Sequence, residues 1–293
     1  MSTGLRARWE TLRYGTLLPW AARSRRAGGG YARLCAGVES RLDAGRCRAA
    51  SARIERWLAI DARRAAAVAR AALYSEAREE ADVSWYMRHP NDLAGAFRTA
   101  TPPPAGADPA IWATLHLGSP NLAFVYLRRL QGLDLRLMAR PLDDSNPMSA
   151  AKRAWGRRKV AWLEHATATE FLGTSAEDLG AARARLVKGR SLFALMDVPG
   201  DIVARSATIS LCGERVRIAA GLFVLAAIAG VPVRPVVAVA GAGRIDMHYG
   251  NPIASVGKDP PLEAIGRELE AIIRRWPGEW WLWPYLPAPA EER

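Results

Sequence analysis

The sequence predicts an α/β protein: a mostly parallel central sheet flanked by helices, preceded by a helical, basic N-terminal region. Three observations carry this. From about residue 110 onward, short apolar segments alternate with helical stretches, the pattern of βα units that build parallel sheets. Residues 29–100 instead keep apolar side chains at three- and four-residue spacing, clearest over 53–73, as an all-helical segment does. The chain has 293 residues, 50% of them hydrophobic and 24% charged, which excludes a disordered chain, a collagen and a coiled coil. A chain this long buries roughly three quarters of its unfolded surface, so its core needs neither disulfides nor metal.

The elements follow in order. Residues 1–34 carry seven arginines and one acid, Glu10, interleaved with Trp9, Leu12, Tyr14, Leu17, Leu18 and Trp20. That mixture fits two readings, an interfacial helix on anionic lipid or a surface helix with its apolar face on the core, and Pro19 breaks the pattern early. After the helical segment, Pro102-Pro103-Pro104 reads as a stiff linker. Strands are expected at 111–115 and 133–139, with helices at 122–130 and 150–163. A helix over 176–188 stops at Gly189, a C-cap signal, and a strand follows at 192–196. Residues 207–209 and 215–218 form a hairpin around Cys212-Gly213. The helix 219–229, strands 233–240 and 245–249, and a helix over 261–275 lead to a tryptophan-dense tail. No internal repeat is visible. The boundaries that result are a helical region over 1–100 and an α/β core over 105–293, read as one integrated domain.

The longest apolar stretch, 218–233, has sixteen residues between Arg217 and Arg234, short of the ~20 a spanning helix needs. Gly230-Val231-Pro232 interrupts it, so it reads as a buried helix followed by a buried strand. No signal peptide is recognisable. The chain is therefore expected to be soluble or peripheral. Three cysteines, Cys35, Cys47 and Cys212, are too few for a disulfide framework and show no metal-binding spacing, which fits reduced cytoplasmic thiols.

Net charge is +12, from 41 basic and 29 acidic residues. Such an excess fits an anionic partner: nucleic acid, an anionic membrane or an acidic ligand. A GC-rich genome that inflates Arg and Ala accounts for it equally well. No nucleic-acid module is recognisable, and the aromatics cluster away from the Arg-rich helix at 150–160, so no specific nucleic-acid partner is expected.

The chemistry points to His116. Ligands of parallel sheets bind at the carboxyl ends of the strands, and the expected strand 111–115 ends at this histidine. Gly118, Ser119, Pro120 and Asn121 follow, and a helix starts soon after. An imidazole in that place suits a general base, and helix N–H groups suit an oxyanion. His165 also stands five residues before an acid, Glu170, but without a glycine or a preceding buried strand. Ser119 lacks the Gly-x-Ser-x-Gly elbow of a serine nucleophile.

His116-Leu-Gly-Ser-Pro-Asn121 resembles the catalytic block of the bacterial lipid A biosynthesis (lauroyl/myristoyl) acyltransferase family, within the lysophospholipid and glycerolipid acyltransferases. Further blocks occur in the same order: Arg140-Pro141 with Asn146-Pro147, Trp155-Gly156-Arg157, and Lys188-Gly189 before a strand ending at Asp197. Leu211-Cys212-Gly213 stands where the family has a Phe-Gly turn. Gly230-Val231-Pro232-Val233-x-Pro235 and Trp276-Pro277-Gly-Glu-Trp280 complete the set. The likeness covers roughly 110–286. Each block is weak alone, and the ordered set is specific.

The resemblance implies a glycerolipid acyltransferase-like fold and acyl transfer from an acyl carrier protein or coenzyme A thioester to a hydroxyl of a lipid or glycolipid. It implies no cofactor and no metal beyond that co-substrate. The expected place is the anionic, cytoplasmic face of a bacterial inner membrane, without a spanning helix. His116 would be the base, and position 121 its orienting partner. Arg140 and Arg157 would position an acidic acceptor or phosphate, while Asp197 would bind substrate by anchoring a loop or one of these arginines. The chain departs from the family at Asn121, where the block has Asp or Glu, and at Pro120, which replaces an aromatic. Asn accepts a hydrogen bond but cannot offset an imidazolium charge. In the Ser-His-Asp triad, Asp to Asn costs about four decades of kcat. Asn121 therefore leaves three options: a slow enzyme, one using another carboxylate, or a homologue without catalysis that binds acyl chains, carrier protein or membrane. For the tail tryptophans, an acyl groove, a membrane interface and packing across the sheet all remain open.

Overall fold

The computed structural model describes residues 3–98, 109–142, 148–200, 203, 205–241, 243–254 and 260–286. The linker at 102–104 and Asn146-Pro147 lie outside the described residues. The chain forms two compact units. One comprises residues up to Ala96 with Pro141–Ala168 and Pro277–Tyr285, and the other comprises Phe97–Arg140 and Thr169–Trp276. This grouping differs from the expected serial division at residues 100–105. Two later segments return to the N-terminal helices because their aromatic side chains are buried there.

In the helical unit, α1 (Thr3–Leu12) continues through a π turn, Arg13–Leu17, into α2 (Leu18–Ala21). The helix thus runs through Pro19. A proline ring clashes with the carbonyl one turn back, and the widened turn lies directly upstream of it. Then come α3 (Arg25–Leu42), α4 (Ala44–Leu58), α5 (Ala62–Arg88) and, from the later segment, α7 (Ala150–Thr167). Side-chain caps start three of them: Ser24, Asp61 and Ser149 accept from the backbone N–H of Ala27, Arg64 and Lys152 at 3.1, 2.9 and 3.2 Å. Gly28 lets α3 approach α5, since a Cβ there would already touch the Ala81 methyl at 3.4 Å.

Trp9, Tyr14, Leu18, Tyr31, Cys35, Ala77 and Ala81 form one core of this unit with Trp155, which stacks on Tyr14 at 5.6 Å. The tail tryptophans divide: Trp276 packs on His248 of the strand Ile245–Tyr249 at 4.6 Å, while the next ones turn to the N-terminal helices. Trp280 and Trp283 are buried against Trp57 of α4, with centroids 6.4 and 5.4 Å away.

The α/β unit has the predicted architecture. Its strands are β1 (Ile111–Thr114), β2 (Leu135–Leu137), β3 (Ser191–Leu195), β4 (Ser206–Leu211), β5 (Glu214–Ala219), β6 (Val233–Ala240) and β7 (Ile245–Tyr249). Its helices are α6 (Pro120–Val125), α8 (Ala176–Val187), α9 (Gly221–Ala229) and α10 (Leu262–Arg275). A five-stranded sheet runs β2-β3-β1-β6-β7, parallel except for β7, which pairs antiparallel with β6. β1 is buried along its whole length, as a central parallel strand must be. The separate β4–β5 hairpin turns on Cys212 (φ 51°) and Gly213 (φ 81°), the two left-handed residues of a tight hairpin. The apolar stretch 218–233 resolves into the end of β5, α9 and the start of β6. No described helix is long and apolar enough to cross a membrane.

Candidate active site

The site follows from strand register. β1 and β3 are parallel neighbours, with Ile111 opposite Leu192 and Thr114 opposite Leu195. One residue further on, the Met196 N–H still donates to the Thr114 carbonyl at 2.8 Å. The next pair in the same register is His116 and Asp197. Both therefore leave the carboxyl ends of adjacent central strands side by side, although 81 residues separate them in sequence.

The Asp197 carboxylate holds the histidine twice. One oxygen accepts the His116 backbone N–H at 2.8 Å, and the other lies 2.9 Å from Nδ1 of the ring. An ionised carboxylate only accepts, so Nδ1 carries the proton and the lone pair sits on Nε2. The Asp197 side chain is 3% exposed and the imidazole 28% exposed. A buried anion thus orients a ring whose outer part is solvent-accessible, the arrangement of the His-Asp half of a catalytic triad.

The loop after His116 is fastened on its other side to β6. Gly118 bridges to Ala238, and the Ser119 N–H donates to the Ala238 carbonyl at 2.8 Å. Gly118 has φ +62°, and a Cβ there would lie 2.2 Å from the Ala238 oxygen. Only glycine allows that approach. Ser119 opens the short α6 and is itself buried, which argues against it as an acyl-carrying nucleophile.

The other expected residues fall as follows. Asn121 is half-buried in the first turn of α6. Asp197, expected to anchor a loop or an arginine, accepts the backbone N–H of His116 at the start of the loop with one oxygen and faces the ring with the other. Arg140 is exposed beyond the carboxyl end of β2. That is the same edge of the sheet as His116 and two strands over, about 10 Å at ordinary strand spacing. Arg157 lies on α7 in the helical unit, where its Nε–H donates to the Leu142 carbonyl at 3.1 Å. Trp155 and Gly156 of the same block serve packing: Trp155 is in the core, and a Cβ on Gly156 would meet Leu142 at 2.9 Å. His165 occupies the last turn of α7, also in the helical unit.

The three thiols are poor candidates for a nucleophile. Burial raises all three cysteines, Cys35 to about 11 and, with Glu270 adding to the effect, Cys212 to about 12. They are protonated and poorly nucleophilic at neutral pH. Among the described residues, no three His, Cys, Asp or Glu side chains converge as a metal-binding group. The carboxylate partner of His116 is the residue whose role sequence reading missed. Its signal was present: the two expected strands, 111–115 and 192–196, end one residue before His116 and Asp197 respectively.

Compared with known proteins, the chain matches no protein-family model and no curated protein.

Proposed function

We propose that this protein is an O-acyltransferase that moves a fatty acyl group from an acyl carrier protein or coenzyme A thioester to a hydroxyl of a lipid or glycolipid. The observation that carries this reading is the Asp197 carboxylate on Nδ1 of His116, at the carboxyl ends of adjacent parallel strands. The ordered sequence blocks that resemble the lipid A acyltransferases supply the choice of reaction.

In the proposed mechanism, Nε2 of His116 takes the acceptor hydroxyl proton as the oxygen attacks the thioester carbonyl. Asp197 holds the ring and offsets the imidazolium charge, which Asn121 cannot do. The tetrahedral intermediate collapses by breaking its C–S bond. The thiolate leaves with the imidazolium's proton, so the products are ester and free thiol. Arg140 would position an acidic acceptor or a phosphate by forked hydrogen bonds. The same role for Arg157 rests on the resemblance alone. The reading needs no metal or further cofactor. We assign the protein to the cytoplasmic face of a bacterial inner membrane, held peripherally on anionic lipid.

The second reading, a non-catalytic homologue that binds acyl chains, drew its support from the missing acid at position 121. Asp197 weakens it by offering a carboxylate from another strand. The test supplies labelled long-chain acyl thioesters of both donor types with a lipid extract and follows thiol release and new acylated lipid. The wild type is expected to make both products. His116→Ala should lose about two to four decades of rate, the usual contribution of a general base. Absence of turnover in the folded wild type with both donors would favour the binder.

A further inference from the structure

The N-terminal helix carries a stripe that its π turn creates. Leu5 and Leu12 are seven residues apart, two α-helical turns, and so share a face. Trp20 is eight residues beyond Leu12 and in an unbroken α-helix would be rotated away. A π turn closes one residue later than an α turn, and Arg13–Leu17 is such a turn. It absorbs the extra residue and returns Trp20 to the line of Leu5 and Leu12. All three are exposed, by 51, 46 and 55%.

The charge around the stripe has one sign. Arg8 lies between Leu5 and Leu12 on the same face, and Arg23 and Arg26 follow Trp20; all three are exposed. None makes an ion pair with a described residue. Glu10, the acid of this stretch, is already paired with Arg6 at 3.3 Å. The opposite face is held down. Trp9 donates to Glu39 at 2.7 Å, Tyr14 donates to Glu80 at 2.7 Å, and Arg13 is paired with Glu80 at 2.7 Å. The helix cannot peel off without exposing those buried charges.

We propose that Leu5, Leu12 and Trp20 form the face by which this protein docks onto an anionic lipid bilayer, with Arg8, Arg23 and Arg26 on the headgroups. The inference rests on the peripheral attachment proposed above and names the surface responsible. Apolar side chains in line with unpaired arginines fit the acyl–headgroup boundary, whereas nucleic acid uses the cations and has no use for the stripe. Because the buried face stays pinned to the helical unit, insertion is shallow and reversible.

The test is cosedimentation of the full-length protein with phosphatidylcholine vesicles, with and without phosphatidylglycerol. In parallel, thiol release is measured from a micellar acyl thioester with a water-soluble alcohol as acceptor. The wild type should bind the anionic vesicles at least tenfold better than the neutral ones. Leu12→Glu/Trp20→Glu should lose at least tenfold of that binding, with an unchanged circular dichroism spectrum and unchanged thiol release. The milder Leu5→Ser/Leu12→Ser should lose part of it. Arg8→Gln/Arg23→Gln/Arg26→Gln should bind anionic vesicles no better than neutral ones. Three results overturn the proposal. One is wild-type vesicle binding by both apolar variants. Another is a protein that ignores vesicles yet releases thiol normally, which leaves the acyltransferase reading standing. The third is a wild-type dimer that the apolar changes turn monomeric without touching vesicle binding, which assigns the stripe to a second copy.

Discussion

Asp197 holds His116 through two hydrogen bonds to one buried carboxylate, so one substitution separates its role from that of Asn121. Asn121→Asp would supply the acid that the related blocks carry. Because Asp197 already compensates the imidazolium, kcat should stay within about tenfold of wild type. A gain of two decades would instead make Asn121 the defective orienter. Gly118→Ala asks a different question. Its methyl would meet the Ala238 carbonyl at 2.2 Å in a left-handed backbone, which costs roughly 2–4 kcal/mol in conformation and overpacking. The melting temperature should fall by several degrees, and activity should fall with it, because this glycine fastens the loop that carries His116.

At the scale of elements, the sequence was legible wherever burial dictated period. The strand segments emerged near 111–114, 191–195, 206–211, 214–219, 233–240 and 245–249, because short apolar runs, continuous where the strand is buried and alternating in the half-exposed hairpin, have few alternatives. The apparent continuity over 53–73 hid a break. α4 ends at Ala59 (φ 52°), and Asp61 caps a new helix, so composition masked a cap that the Asp itself announced. Trp9, Tyr14 and Leu18 turned inward, the bland reading of the N-terminal segment, while Leu5, Leu12 and Trp20 stayed outside. The segment thus buries one face and exposes the other, and the π turn at Arg13–Leu17 sets the face on which Trp20 lies.

The helical elements also carry a buried ionic cluster that composition could not reveal. Arg13 pairs with Glu80 and Glu39 at 2.7 and 3.0 Å, and Tyr31 donates to Glu80 at 2.9 Å. Burial alone would raise the Glu80 carboxyl, but Arg13, Lys152 and the hydrogen bonds from Tyr14 and Arg13 hold it below its ordinary 4.5. A carboxylate depressed on folding stabilises the protein above its unfolded value and loses that contribution as pH falls through the lower folded value. Glu80→Gln should therefore melt well below wild type at pH 7, and the gap should narrow as pH drops below about 4.5. Asp82 and Glu279, raised by burial, act in the opposite sense, and the difference between wild type and variant removes them. Arg13→Met takes the hydrogen-bonded cation from buried Glu80, leaving Glu39 with Arg6 at 3.6 Å, and should cost about 3–5 kcal/mol in urea unfolding at neutral pH. A loss under 1 kcal/mol would mean that water reaches the cluster.

For the whole molecule, the class was readable and the division was not. Alternating elements gave an α/β sheet, but nothing in the sequence says that α7 and residues 277–285 belong with the N-terminal helices. That grouping depends on partners far away in sequence, Tyr14 for Trp155 and Trp57 for Trp280 and Trp283. The same holds for the candidate site. His116 stood out locally, by strand end and glycine. Asp197 became its partner only through strand order, because β3 is the neighbour of β1. A sheet can thus deliver the carboxylate that a local block lacks.

In the proposed reaction, His116 and Asp197 work as one base in acyl transfer. Its most direct test is the rate of thiol release from a long-chain acyl thioester by Asp197→Asn, beside wild type and His116→Ala, with all three shown to be folded. Asp197→Asn should fall by about four decades, as the equivalent change does in the serine-protease triad, to a level near that of His116→Ala. Wild-type turnover in Asp197→Asn would contradict the account and return the orienting role to Asn121 or to another group.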